Sequence, residues 1–181
     1  MDIKQKLRDR YRAERSLKDH VESWVHIINS SEFKSAKTIA SYHSYGEEPQ
    51  TQDLNAKLIA QGFSVALPRV IKDRNLEWVL WDGSKESLRK SGKVMEPIGD
   101  SISPTNIDLV IVPSLHVNQD GYRLGQGGGS YDRALKELTA WTIGLIYAGE
   151  LTPEPMPVEA HDVKLDAVAT PDLIIRFTKD N

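Results

Sequence analysis

The chain of 181 residues has no cysteine. Disulfides, thiolate metal sites and a cysteine nucleophile are excluded together. The opening MDIKQKLRDRYRAER has no apolar core of a secretory signal, so a cytoplasmic protein is expected. No apolar run approaches the roughly 18 residues of a membrane span, and no membrane partner is expected. A basic excess is also missing. The net charge of −3 argues against a dedicated nucleic-acid binder, and no nucleic-acid partner is expected. Internal repeats, low-complexity tracts and an interdomain linker are absent, so residues 1–181 are expected to form one domain. A monomer is expected.

What charge there is lies unevenly. Residues 1–18 carry seven basic groups against three acidic ones. Residues 2–15 read as a helix, with Ile3, Leu7 and Tyr11 as a narrow apolar stripe and Lys4, Arg8 and Arg12 as a parallel basic one. A solvated helix face explains this; so does a basic arm folded over an anionic ligand. Ser16 is an N-cap for a second helix through about residue 29, with Val21, Trp24, Val25 and Ile28 inward, giving an N-terminal helical pair.

Beyond it the pattern alternates. Strands are expected over residues 37–42, 63–67 (ended by Pro68), 76–81, 107–112, 141–147 and 173–177, with helices over 51–62 and 131–138. This predicts an α/β fold: a mostly parallel open sheet flanked by helices. The unalternated Leu-Val-Ile-Val of residues 109–112 suits a parallel strand covered on both faces. In such sheets ligands lie outside the carboxyl ends of the strands.

The stretch GYRLGQGGGSYDRAL, residues 121–135, follows one of those ends. It is no P-loop, since Gly-Lys-Ser/Thr is missing, and no dinucleotide fingerprint, since Ser130 stands where a third glycine would. Bare backbone still favours an anion, because consecutive N–H groups make a concave nest and the next helix adds its own. Arg123 offers a guanidinium suited to phosphate. Asp132 should not face phosphate directly, and a bridging Mg²⁺ would reconcile the two. The alternative is a plain turn with Asp132 as a helix-start carboxylate. Trp78 and Trp81, three apart on a strand, face opposite sides, and core packing is the default for both.

The run from Asp108 through Arg133, DLVIVPSLHVNQDGYRLGQGGGSYDR, resembles the signature of the 5-formyltetrahydrofolate cyclo-ligase family. Lys4 to Arg8, Glu48 to Thr51, Leu67-Pro68-Arg69, Glu96-Pro97 and His161 to Asp166 occur in the order that family has them. The resemblance implies an ATP- and Mg²⁺-dependent ligase acting on 5-formyltetrahydrofolate. It implies ATP contacts from Lys4, Arg8, Arg123, Leu124, Gly125, Gln126, Gly127, Gly128, Gly129, Ser130 and Tyr131. It implies Mg²⁺ at Asp132 and Asp162, substrate contacts from His43, Glu48 and Gln126, and catalytic roles for Arg123 and Glu48. His161 is a structural neighbour of Asp162. Two positions depart from the family pattern: Ser130, where many relatives carry an aromatic, and Gly128, where some carry lysine. They leave room for a member that keeps the nucleotide site and binds nucleotide or folate for another purpose.

Overall fold

Asp2 starts the first helix by accepting the Lys4 N–H at 3.2 Å, as an N-cap carboxylate does. The computed structural model describes residues 2–178. In chain order it contains α1 (Ile3–Arg15), a 3₁₀ turn (Val25–Asn29), α2 (Ser31–Ser35), β1 (Thr38–Ala40) and α3 (Gln52–Ala60). Then come β2 (Ser64–Val70), β3 (Leu76–Trp81), the hairpin of β4 (Leu88–Ser91) and β5 (Val94–Pro97), and β6 (Ser101–Ile102). The second half holds β7 (Leu109–Pro113), β8 (His116–Asn118), β9 (Arg123–Leu124) and α4 (Ser130–Lys136). It closes with β10 (Trp141–Leu145), β11 (Leu151–Thr152), β12 (Ala167–Ala169) and β13 (Ile174–Arg176).

Eight strands form one sheet in the order β13-β12-β10-β7-β1-β2-β3-β6. The pairs from β12 through β2 are parallel, and β13, β3 and β6 add antiparallel edges. The α/β sheet is therefore mostly parallel, as expected. Both faces are covered. Leu109 and Ile111 join a core with Trp24, Phe33, Leu54 and Leu58, while Val110 and Val112 join a second core with Ala134 and Leu135. That is why β7 has no polar side. Trp78 and Trp81 do fall to opposite faces.

The chain runs from β1 to β2 on one side of β1, then returns to place β7 on the other. β1 and β7 thus flank a topological switch point, where the loops leaving their carboxyl ends diverge and open a crevice.

Two expectations need correction. The second helix over residues 16–29 does not form, so the helical pair reduces to α1 and short turns. Leu17 and Val21 are 88% and 81% exposed, whereas Trp24 is fully buried and its indole N–H donates to the carbonyls of Ile146 and Ala169. Anchoring Trp24 across two strand ends, with Ile27 and Ile28 buried beside it, outweighs a helix that would carry Leu17 and Val21 over solvent. β2 also continues through Pro68 to Val70. β1 pairs with it only as far as Ala66, leaving an open side that can take the missing proline N–H.

Candidate active site

The switch-point crevice is a cavity of about 490 Å³. Its wall follows strand ends: Tyr42 and His43 after β1, Pro68 and Val70 of β2, Pro113 and Ser114 at the end of β7. α1 and the glycine loop close one side. The β4–β5 hairpin contributes Val94, Met95 and Glu96 to the other.

The glycine loop is ringed by arginines. A Cβ at Gly125 would lie 2.5 Å from Nη1 of Arg123; at Gly127, 3.3 Å from Cζ of Arg8; at Gly128, 3.7 Å from Nη1 of Arg74; at Gly129, 2.9 Å from Nη1 of Arg133. The bare Cα atoms of Gly125, Gly127 and Gly129 therefore let a guanidinium lie against the main chain, whereas Arg74 stands at ordinary contact distance from Gly128. Gly127 and Gly129 have φ of 101° and 66°, which L-residues adopt with strain. Arg8 Nε donates to the Gly125 carbonyl at 3.1 Å, and Arg12 donates to the Gln126 side chain at 2.8 and 3.0 Å.

α1 docks mainly through its cations. Lys4, Tyr11 and Arg15 are its buried residues, while Ile3 is 63% exposed and so lies outside the seam expected for it. Arg15 pairs bidentately with Glu150 at 2.6 and 2.9 Å and also donates to the carbonyls of Ser114 and Leu115. Tyr11 stacks flat on His116 at 3.7 Å. Both ring nitrogens of His116 are buried without a hydrogen-bond partner, and burial pulls its pKa down to about 4.

Two carboxylates in the cavity are held by cations. Asp162 accepts from Lys4 Nζ at 2.7 Å, and Asp132 pairs with Arg123 at 3.1 Å. Burial opposes the Lys4 charge, but its bonds to Asp162 and Glu159 outweigh that and hold the ammonium above its usual range. Burial likewise opposes the Asp162 charge, and Lys4 with the Glu159 N–H overrides it. No group of three or more His, Asp or Glu among the described residues could hold a metal alone. Separate carboxylates beside a nest of amides suit an ion that arrives with phosphate oxygens, which is how Mg²⁺ is usually bound. The residues present fit such a group.

Glu48 differs. Burial raises its pKa to about 7, against the lowering effects of the Tyr45 N–H and of Arg15. Tyr131, buried and raised by burial and then by the nearby Glu48 charge, has an OH without a hydrogen-bond partner; so does Nε of Arg123. His43 is half-buried, and burial lowers its pKa.

Every residue singled out from the sequence for nucleotide, substrate or metal lines this one cavity: Lys4, Arg8, His43, Glu48, Arg123 to Asp132, and Asp162. His161 lines it as well. Trp78 and Trp81 stay outside and back it instead, meeting Tyr131 and His43 edge-on. Sequence reasoning missed Arg15, Tyr42 and the apolar wall of Val70, Leu76, Val94 and Met95, together with Arg74 and Arg133, which flank the glycine loop outside the cavity lining. Arg15 shares a helix face with Lys4 and Tyr11, a signal available in the spacing.

The model of the 5-formyltetrahydrofolate cyclo-ligase family matches residues 2–171. The chain belongs to this family. Among similar proteins, the 5-formyltetrahydrofolate cyclo-ligase of Mus musculus is 28% identical, covering 94% of this chain and 91% of its own length. That of Escherichia coli K12 is 31% identical over 77% of this chain and 80% of its own. The solved structure of Aquifex aeolicus 5,10-methenyltetrahydrofolate synthetase superposes with a TM-score of 0.84 at 25% identity, covering 99% of this chain and 95% of that one. The match spans α1 as well as the signature loop, so the arm that closes the cavity belongs to the cyclo-ligase domain.

Proposed function

We propose that this protein uses MgATP to convert 5-formyltetrahydrofolate into 5,10-methenyltetrahydrofolate, ADP and phosphate. The reading is supported most by one observation: cations from α1, the glycine loop and the half-buried Glu48 all open on the same cavity. The polyphosphate lies on the amides of the glycine loop, with Lys4, Arg8 and Arg123 neutralising its charge. Mg²⁺, held by Asp132 and Asp162 with phosphate oxygens, would offset charge on the transferring group. Phosphoryl transfer depends on such positioning and charge neutralisation more than on a protein nucleophile.

The formyl oxygen on N5 attacks the γ-phosphorus and ADP leaves. N10 then attacks the activated carbon and loses its proton, and the C–O bond breaks to release phosphate. Glu48 takes the N10 proton. A carboxylate with a pKa of about 7 is suited to that task at neutral pH. His43 and the side chain of Gln126 contact the folate.

Purified protein given 5-formyltetrahydrofolate and MgATP should develop methenyl absorbance in the near-ultraviolet. A folded sample that binds ATP but makes no methenyl product would sink the reading. Folate binding without turnover would assign the chain to the non-catalytic binders that Gly128 and Ser130 leave room for.

A further inference from the structure

The turn between β2 and β3 holds the only non-glycine residues with positive φ among those described, Asp73 and Arg74 at 59° and 58°. Two successive left-handed residues that carry a Cβ are disfavoured, and they persist where neighbours over-determine them. Arg133 of α4 does so. Its Nη2 donates to the carbonyls of Asp73, Arg74 and Gly128 at 3.2, 3.0 and 3.3 Å, and its Nε donates to Asn75 Oδ1 at 3.0 Å. One guanidinium thus staples the turn to the glycine loop.

The staple brings the Arg74 guanidinium to Gly128, 3.7 Å from where a Cβ would be. Lys4, Arg15 and Arg123 are each neutralised by a carboxylate. The Arg74 side chain has no hydrogen-bond or ion-pair partner among the described residues. An exposed, unpaired cation therefore stands beside the glycine loop at the rim of the cavity, on a strained turn, although nothing within the fold draws on its charge.

We propose that Arg74 is a further phosphate-binding residue of the nucleotide site, supplying a cation at the Gly128 flank as Arg8 does at Gly127. The proposal rests on the nucleotide reading above. Guanidinium is the side-chain group best matched to phosphate oxygens. Arg133 acts through it, as a positioning residue.

The test is calorimetric titration of the full chain with Mg-tripolyphosphate, MgATP and 5-formyltetrahydrofolate, in wild type, Arg74→Gln and Arg74→Lys. Gln should weaken both phosphate probes by about tenfold, leave folate affinity unchanged and flatten the salt dependence of ATP binding. Lys should recover part of the loss. An unchanged thermal midpoint separates lost charge from a disturbed turn. If wild type binds tripolyphosphate and Gln binds it equally well, the Arg74 assignment alone falls. If Gln weakens folate and phosphate alike, the residue is structural and the assignment again falls. If wild type binds folate but neither phosphate probe, the nucleotide reading fails and takes this proposal with it.

Discussion

Glu48 is a carboxylate whose pKa burial holds well above the usual range of its type. A base must be deprotonated to act, so kcat/KM should fall as pH drops below about 7, the value its burial sets. Glu48→Gln should cost about 10²–10⁴ in kcat and remove that acidic limb; a pH–rate profile of both proteins checks it. Arg123 makes a different prediction. Arg123→Ala should weaken ATP more than folate in titrations of each, and the reverse order would place the loop on the wrong ligand. Gly127, at φ 101°, should be the least tolerant glycine in the loop. Gly127→Ala should cost roughly 1–3 kcal/mol from backbone strain while also displacing Arg8, seen as a lower urea midpoint and weaker ATP binding.

At the level of elements, α1 docks through buried ion pairs as well as through the Leu7 and Tyr11 part of its apolar stripe. Its attachment runs through Arg15–Glu150 and Lys4–Asp162, with the Tyr11–His116 stack between them. Arg15→Ala strands a buried Glu150 and should cost about 3–5 kcal/mol, whereas Ile3→Ala, exposed, should stay within about 0.5 kcal/mol. Chemical denaturation of the two variants distinguishes an electrostatic seam from an apolar one. The central strands were legible because continuous Val, Ile and Leu with Gly and Pro at the ends leave few alternatives. The region before β1 was not. Val21, Trp24, Val25 and Ile28 have helical spacing, but burial of Trp24 with Ile27 and Ile28 took the chain along another path, leaving Val21 in solvent. The site residues could be read because they lie in contiguous signatures. Arg74 could not, since its place depends on a staple from Arg133, 59 residues away.

For the molecule as a whole, two buried groups pull stability in opposite directions as pH changes. His116 is held neutral in the fold with a pKa of about 4 against 6.5 ordinarily, so the unfolded chain binds the extra proton between those values and stability rises with pH. Glu48 is held protonated up to about 7 against 4.5, so the folded chain binds the extra proton and stability falls as pH rises through that window. Each full proton of difference is worth about 1.4 kcal/mol per pH unit. Over their shared range the two should nearly cancel. His116→Phe, which keeps a ring on Tyr11, should leave stability declining from pH 4.5 to 7, and Glu48→Gln should leave it climbing from pH 4 to 6.5. Urea midpoints across pH test both, and two parallel flat profiles would contradict the pair.

The ring of guanidinium groups also divides the glycines by why they are glycine. Gly127 and Gly129 are fixed by their own torsions, whereas Gly125 lacks a left-handed φ and is small because the Arg123 guanidinium occupies the space beside it. That position can therefore drift only in step with its arginine. Shortening Arg123 would license a side chain at Gly125, and the double change should be milder than its two halves added together.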